Sequence, residues 1–245
     1  MKGKNVFITG TNRGLGKAFL EEFAKRGANV IAHARQETSE FKDMCSDLST
    51  KHGVSVTPVF FDMTDTNTMK SVIKDLFLKK TPVDILINSA GILYSGMFMQ
   101  TPVSKFKEIF DINFFAQLEL TQLILRIMMR QKSGSIINIA SIGGLITYEG
   151  QIAYAASKAA LISWTKNLSA ECGRYGIRVN ALALSLMDTG KKEEMSSKEI
   201  EYFEQRTVLG RIGTAQDAAN VAVFLASDEA SFINGQIIRI DGGLL

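Results

Sequence analysis

The chain has 245 residues, 46% hydrophobic and 22% charged, with a net charge of +3. This fits one globular α/β domain over residues 1–245 with a sizeable core, and no linker-like composition shift marks a second domain. The small charge, with no basic block and no basic stripe with interleaved aromatics, argues against nucleic acid or a membrane as a partner.

Cys45 and Cys172 define neither a disulfide framework nor a metal-ligand spacing, so a reducing, cytoplasmic setting is expected. Met1-Lys2-Gly3-Lys4 leads straight into a strand-like run, with no signal-peptide pattern. The most apolar helical stretch, Phe114 to Met129, is interrupted by Gln117, Glu119, Gln122 and Arg126. It reads as a buried helix and not as a membrane span.

In chain order, Asn5 to Thr9 is an apolar run of the kind found in strands buried on both faces. Gly10-Thr11-Asn12-Arg13-Gly14-Leu15-Gly16 follows, and a helical pattern opens with Ala18, Phe19, Phe23 and Ala24. Strand, Gly-rich turn and helix N-terminus together predict a phosphate-binding site, because glycines admit a pyrophosphate to the backbone and the helix start favours its charge. A second strand, Asn29 to Ala34, ends in His33-Ala34-Arg35, with no acidic residue before Glu37. A carboxylate there would bind the ribose hydroxyls of NAD, whereas Arg accommodates a 2′-phosphate. Arg35, with Arg13 in the Gly loop, therefore predicts NADP(H), since guanidinium offers charge and a planar fork of donors. His33 and His52 have no partner visible in sequence and are expected to be structural.

A helix over about Ser39–Lys51, a strand over Val54–Phe61, a helix over Asn67–Lys80 and a strand over Val83–Asn88 follow. This alternation predicts right-handed βαβ units and a doubly wound parallel sheet of the Rossmann type. The small residues of Asn88-Ser89-Ala90-Gly91 suit a close approach of backbone to a ligand. A long helix after Thr101-Pro102 contains Asn113, an unfavourable interior residue whose side chain competes for backbone hydrogen bonds.

Ser141 ends the strand-like run Ser135 to Ala140, where open α/β sheets face their ligand crevice. Tyr154 and Lys158 stand four apart in a helix over Ile152–Cys172, so phenol and ammonium share one face. A nearby Lys⁺ favours tyrosinate and brings the phenol toward useful acid–base work. A sixth strand covers Arg178–Ala183, and the polar segment Gly190–Gly210, with Lys191-Lys192-Glu193-Glu194, reads as a mobile lid. A helix over Gly213–Ser227, a strand over Gln236–Ile240 and Asp241-Gly242-Gly243 complete the pattern.

These motifs in this order resemble, over essentially the whole chain, the single-domain short-chain dehydrogenases/reductases, and most nearly the 3-oxoacyl-(acyl-carrier-protein) reductases. The resemblance implies that Ser141 orients a ketone carbonyl and that Tyr154 donates the proton. Lys158 would lower the Tyr pKa and hold the nicotinamide ribose, and Asn113 would kink its helix and keep a relay water in place. It implies cofactor contacts from the Gly loop, Asp62 and Met63, Asn88, Ala90, Gly91 and Thr189, with a turn cap as the other reading of Asp62. No metal is needed. Ser89 departs mildly from the family's Asn, and Leu184-Ser185 replaces the usual Pro-Gly, which puts the turn geometry near the nicotinamide in question.

The implied substrate is a 3-oxoacyl chain on acyl carrier protein, with small ketones, polyols, steroids or sugar-derived ketones as alternatives. A non-catalytic NADPH-binding scaffold is the rival from another class. Arg130, Lys132 and Arg174 are candidates for a basic rim beside the cleft, or else solvated helix-end charges. Apolar residues on more than one side of the helices carrying Phe114–Leu125 and Tyr154–Leu168 predict burial against a second copy. The family pattern makes that assembly a homotetramer, with a dimer as the fallback.

Overall fold

The first strand, β1 (Asn5–Ile8), points Val6 and Ile8 to one face and Phe7 to the other, and all three are fully buried. A strand covered on both sides must be apolar throughout, which is why its sequence does not alternate with polar residues. In the computed structural model, which describes residues 1–147, 149–190 and 196–244 (the side chain of Glu199 excepted), β1 is an interior strand of a seven-stranded parallel sheet. Its neighbours are β2 (Asn29–Ala34) and β4 (Ile85–Asn88). Beyond β2 lies the edge strand β3 (Val56–Phe60); beyond β4 lie β5 (Gly134–Ser141), β6 (Ile177–Leu184) and β9 (Ile237–Ile240). Pro58 is tolerated in β3 because an edge strand can spare one N–H.

Helices α1 (Gly14–Lys25), α2 (Ser39–His52) and α8 (Ala215–Ala226) cover one face through Phe19, Phe23, Phe41, Leu48 and Ala222. On the other face α3 (Thr66–Leu78), α5 (Ala116–Gln131) and α6 (Ile152–Cys172) pack Met69, Ile73, Leu120, Ile124 and Leu161. The order of strands reverses between β1 and β4, so a crevice opens above their C-terminal ends.

The long helix expected to kink at Asn113 is divided there. It begins as α4 (Val103–Phe110), passes through a π-helical turn at Asp111–Phe115 and continues as α5. Smaller differences occur at the far end of the chain. Gly213-Thr214 forms a two-residue strand, β8, paired with β7 (Met187–Asp188), so α8 starts at Ala215 behind a capping box between Thr214 and Asp217. Within the expected lid, α7 (Ser197–Arg206) is helical, whereas Lys191–Met195 lie outside the described residues. No helix among the described residues is long and apolar enough to cross a membrane.

Candidate active site

The Gly loop folds tightly onto itself above β1. A Cβ on Gly16 would lie 2.1 Å from the Gly10 carbonyl oxygen, so only glycine fits there. Arg13 is the extended N-cap of α1, and neither its side chain nor a first-turn acid satisfies the opening N–H groups. Those donors and the helix dipole fit a dinucleotide pyrophosphate. Arg13 and Arg35 are both exposed, and the Arg35 charge bears on Asp62, whose pKa is lowered first by its hydrogen bonds from Thr64.

The loop is anchored from below by His33, which is buried in β2. Its Nδ1 accepts the Gly10 N–H at 3.2 Å, and its Nε2–H donates to the Phe61 carbonyl at 2.8 Å. Burial pushes its pKa down to about 4, so the imidazole is neutral and structural. His52 ends α2 away from the loop.

Asp62 caps its own turn, accepting from the Thr64 N–H at 2.9 Å and the Thr64 hydroxyl at 2.7 Å. Met63 is buried in the core beside Phe61. The Asn88 side chain also turns inward, donating to Thr121 Oγ1 and Asn138 Oδ1 at 3.0 and 2.8 Å.

The turn after β4 is held by three buried polar side chains. Thr9 Oγ1 accepts the N–H groups of Ser89 and Ala90, each at 2.9 Å, and Gln117 Nε2 donates to the Ala90 carbonyl at 2.7 Å. Asn113 holds Ile92, two residues on, accepting its N–H at 2.8 Å and donating to its carbonyl at 2.9 Å. The π turn widens the helix at this point and gives Asn113 that reach. Asn113 Nδ2 also lies 3.2 Å from Ser157 Oγ, whose hydroxyl donates to the Tyr154 carbonyl. The turn is thereby tied to the helix that carries Tyr154 and Lys158.

Ser141 closes β5, accepting the Gly143 N–H at 3.1 Å and contacting the Leu184 carbonyl at 3.4 Å. The following turn sits on the α6 backbone so closely that a Cβ on Gly144 would meet Ala159 N at 2.9 Å. That contact fixes Ser141 relative to the pair on α6. Lys158 is buried, donates to the Ile139 carbonyl at 2.7 Å, and has its pKa lowered by burial to about 8. Tyr154 departs from expectation. Burial raises its pKa, and only the Ser141 hydroxyl, not Lys158, pulls it back. With Lys158 Nζ 5.7 Å from the ring centroid, the phenol stays protonated in the chain alone.

Ser141, Tyr154, Lys158, Gly91, Leu15 and Thr189 line one cavity of ≈ 280 Å³, whereas Arg13, Arg35 and Asp62 lie outside that lining. Leu184 and Ser185, which stand in place of Pro-Gly, also line it, as do Leu93, Gln151, Leu186 and Phe203, to which the sequence assigns no role. Only Gln151, one helical turn before Tyr154, carried a usable signal. Leu184-Ser185 needs no Pro-Gly turn here. β6 stays in register with β5 and β9 to Leu184, and the Ser185 N–H donates to the Ile240 carbonyl at 3.1 Å.

Of the two readings of Arg130, Lys132 and Arg174, helix-end charges fit the structure, and none of the three lines this cavity within one chain. Arg174 follows the far end of α6, roughly 30 Å from Tyr154 at the helical rise. Arg130 and Lys132 end α5 at the same far end of the sheet, where Arg130 stacks on Phe77 at 4.3 Å.

A parallel sheet with a Gly-rich first turn, a ligand crevice and a Ser–Tyr–Lys set defines a nicotinamide-dependent oxidoreductase working on CH–OH and C=O groups. The chain belongs to the short-chain dehydrogenase/reductase family, and residues 10–245 match a family profile described as enoyl-(acyl carrier protein) reductase. It is 35% identical to the 3-oxoacyl-[acyl-carrier-protein] reductase FabG of Thermotoga maritima, over 100% of this chain and 99% of that protein. A solved 7α-hydroxysteroid dehydrogenase complexed with NADH and 7-oxo glycochenodeoxycholic acid is 29% identical with a TM-score of 0.90, covering 100% of this chain and 95% of its own. A gluconate 5-dehydrogenase from Burkholderia cenocepacia in complex with NADP and tartrate is 27% identical with a TM-score of 0.92, covering 100% and 96%.

Proposed function

We propose that the chain reduces the 3-oxo group of an acyl thioester carried on acyl carrier protein, with NADPH as the reductant. The observation that carries this reading is the cavity lining. Ile92, Leu93, Ile142, Leu186, Met187 and Phe203 surround Ser141 and Tyr154, and the only ionic side chain among the lining residues is Lys158. Such walls suit an acyl chain and offer a sugar acid's carboxylate no cation beyond one already assigned. The Thermotoga relative and the Arg13–Arg35 pair support the same choice.

In this reading the cofactor supplies the hydride. Ser141 donates a hydrogen bond to the substrate carbonyl and Tyr154 transfers its proton to the developing alkoxide. Lys158 would hold the nicotinamide ribose and be linked through it to Tyr154 in the proton relay. Asn113, which clamps Ile92 beside Lys158, keeps the relay water in place.

A panel assay with acetoacetyl thioester, a steroid ketone and a ketogluconate tests the reading; the steroid belongs there because the same apolar walls fit a neutral ring system. Acetoacetyl thioester is expected to have the highest kcat/KM. NADPH is expected to bind roughly tenfold or more tightly than NADH, the worth of one guanidinium–phosphate contact. Preference for the ketogluconate, or equal affinity for the two cofactors, would contradict it.

The assembly proposed is a homotetramer. On the helices expected to pair, Phe115 is 55% exposed and free to meet a second copy, whereas Leu120, Leu161 and Ile162 are buried within the chain. Arg130, Lys132 and Arg174 would reach a cleft mouth only from a second copy. Light scattering at micromolar concentration should give four times the mass of one chain, and a monomer mass would refute the pairing. The free, buried thiols of Cys45 and Cys172 fit the reducing cytoplasm expected for the chain.

A further inference from the structure

The motif Asp241-Gly242-Gly243 touches neither the cavity nor the Gly loop, yet its geometry is closely specified. Gly242 and Gly243 have φ of +61° and +77°. A Cβ on Gly242 would lie 2.5 Å from Thr207 Cγ2. The two glycines let the segment after β9 lie against the chain leaving α7, where the Leu209 N–H donates to the Gly242 carbonyl at 3.1 Å and Thr207 pairs antiparallel with Leu244. Asp241 holds the turn from within, accepting from the Gly243 N–H at 3.2 Å and from Arg239 Nε at 2.6 Å. Arg239 Nη2 in turn donates to the Leu244 carbonyl at 3.2 Å.

All of this seats one side chain. Leu244 is buried in an apolar cluster with Ile142, Phe203 and Ile212, on which Ile200 and Leu186 also pack. Ile142 follows Ser141 directly, and Ile142, Leu186 and Phe203 are cavity walls. The α7 helix is otherwise polar and charged, so this cluster is the main apolar seat it has.

We propose that Asp241-Gly242-Gly243-Leu244 is a clamp whose Leu244 positions α7, and with it Phe203, at the substrate side of the cavity. Leu244 is a positioning residue and touches no reacting atom. The kinetic part of the proposal rests on the ketone-reductase reading; the structural part does not.

Leu244→Ala is expected to raise KM for apolar ketones roughly tenfold, since small displacements at a positioned site cost about that much or more. NADPH affinity should stay within about twofold, and Leu244→Met should restore KM. Amide hydrogen exchange across 197–206 should quicken in Leu244→Ala and in Gly242→Ala, with β1, β4 and β5 still protected. Unchanged exchange in α7 would overturn the clamp whether or not the chain reduces ketones. KM and NADPH affinity weakening in parallel, or a KM that does not move while α7 loosens, would overturn its role at the substrate side.

Discussion

Tyr154→Phe is expected to lower turnover on a ketone by roughly a hundred- to ten-thousand-fold, the range for losing a positioned general acid. NADPH affinity should stay within about twofold, because the ring and its packing remain. Burial holds the phenol protonated, so in the free chain Tyr154 is a stored proton rather than a ready base. Ser141 reaches it from β5, and the seat of the Gly144 turn on α6 keeps the two elements in register. Near-native turnover in the Phe variant, measured on any ketone the parent reduces, would show that another group supplies the proton.

His33 makes acid stability measurable in a different way. Its pKa is about 4 in the folded chain against 6.5 for the free group. Between those values the unfolded chain binds more protons, so stability rises with pH. The contribution is complete above pH 6.5 and is lost as pH falls from 6.5 toward 4, amounting to about 3 kcal/mol from the size of the shift. Protonation would set Nδ1–H against the Gly10 N–H, so the Gly loop should be the first element to loosen. Urea denaturation across this range should show a steeper pH slope for the native chain than for His33→Gln, by up to about 1.4 kcal/mol per pH unit. Equal slopes would mean that His33 is protonated, or solvated, in the native state.

Much of this was legible before any coordinates. Asn29–Ala34 and Ile152–Cys172 span the residues expected of them, because glycines mark their boundaries, Gly27 before the strand and Gly150 and Gly173 around the helix. The Ser141, Tyr154 and Lys158 positions follow from a strand end and a helix face, both local features. What escaped notice depends on long-range pairing. Thr9 meets Ala90 across eighty-one positions, and Gln117 meets Ala90 across twenty-seven. No local spacing encodes such contacts. The resemblance places a kink at Asn113, but neither its π-helical form nor its partner, the distant Ile92 backbone, is written in the local sequence.

Direction along the helices also mattered. The sequence leaves Arg130 and Arg174 either beside the cleft or at solvated helix ends, and the run of α5 and α6 puts them at helix ends at the opposite end of the sheet. Burial, which sequence does not state, reversed the expected sense of the Tyr154 shift.

If the proposed function holds, the cavity above β4 and β5 brings a hydride from NADPH and a proton from Tyr154 to one ketone carbon and its oxygen. NADPH carrying deuterium at the transferable C4 position, incubated with acetoacetyl thioester, tests it in a single product analysis by mass spectrometry. The account predicts one deuterium on the carbinol carbon of a 3-hydroxybutyryl thioester, formed by the native chain and almost absent with Tyr154→Phe. An unlabelled product, or equal labelled product from both proteins, would contradict it.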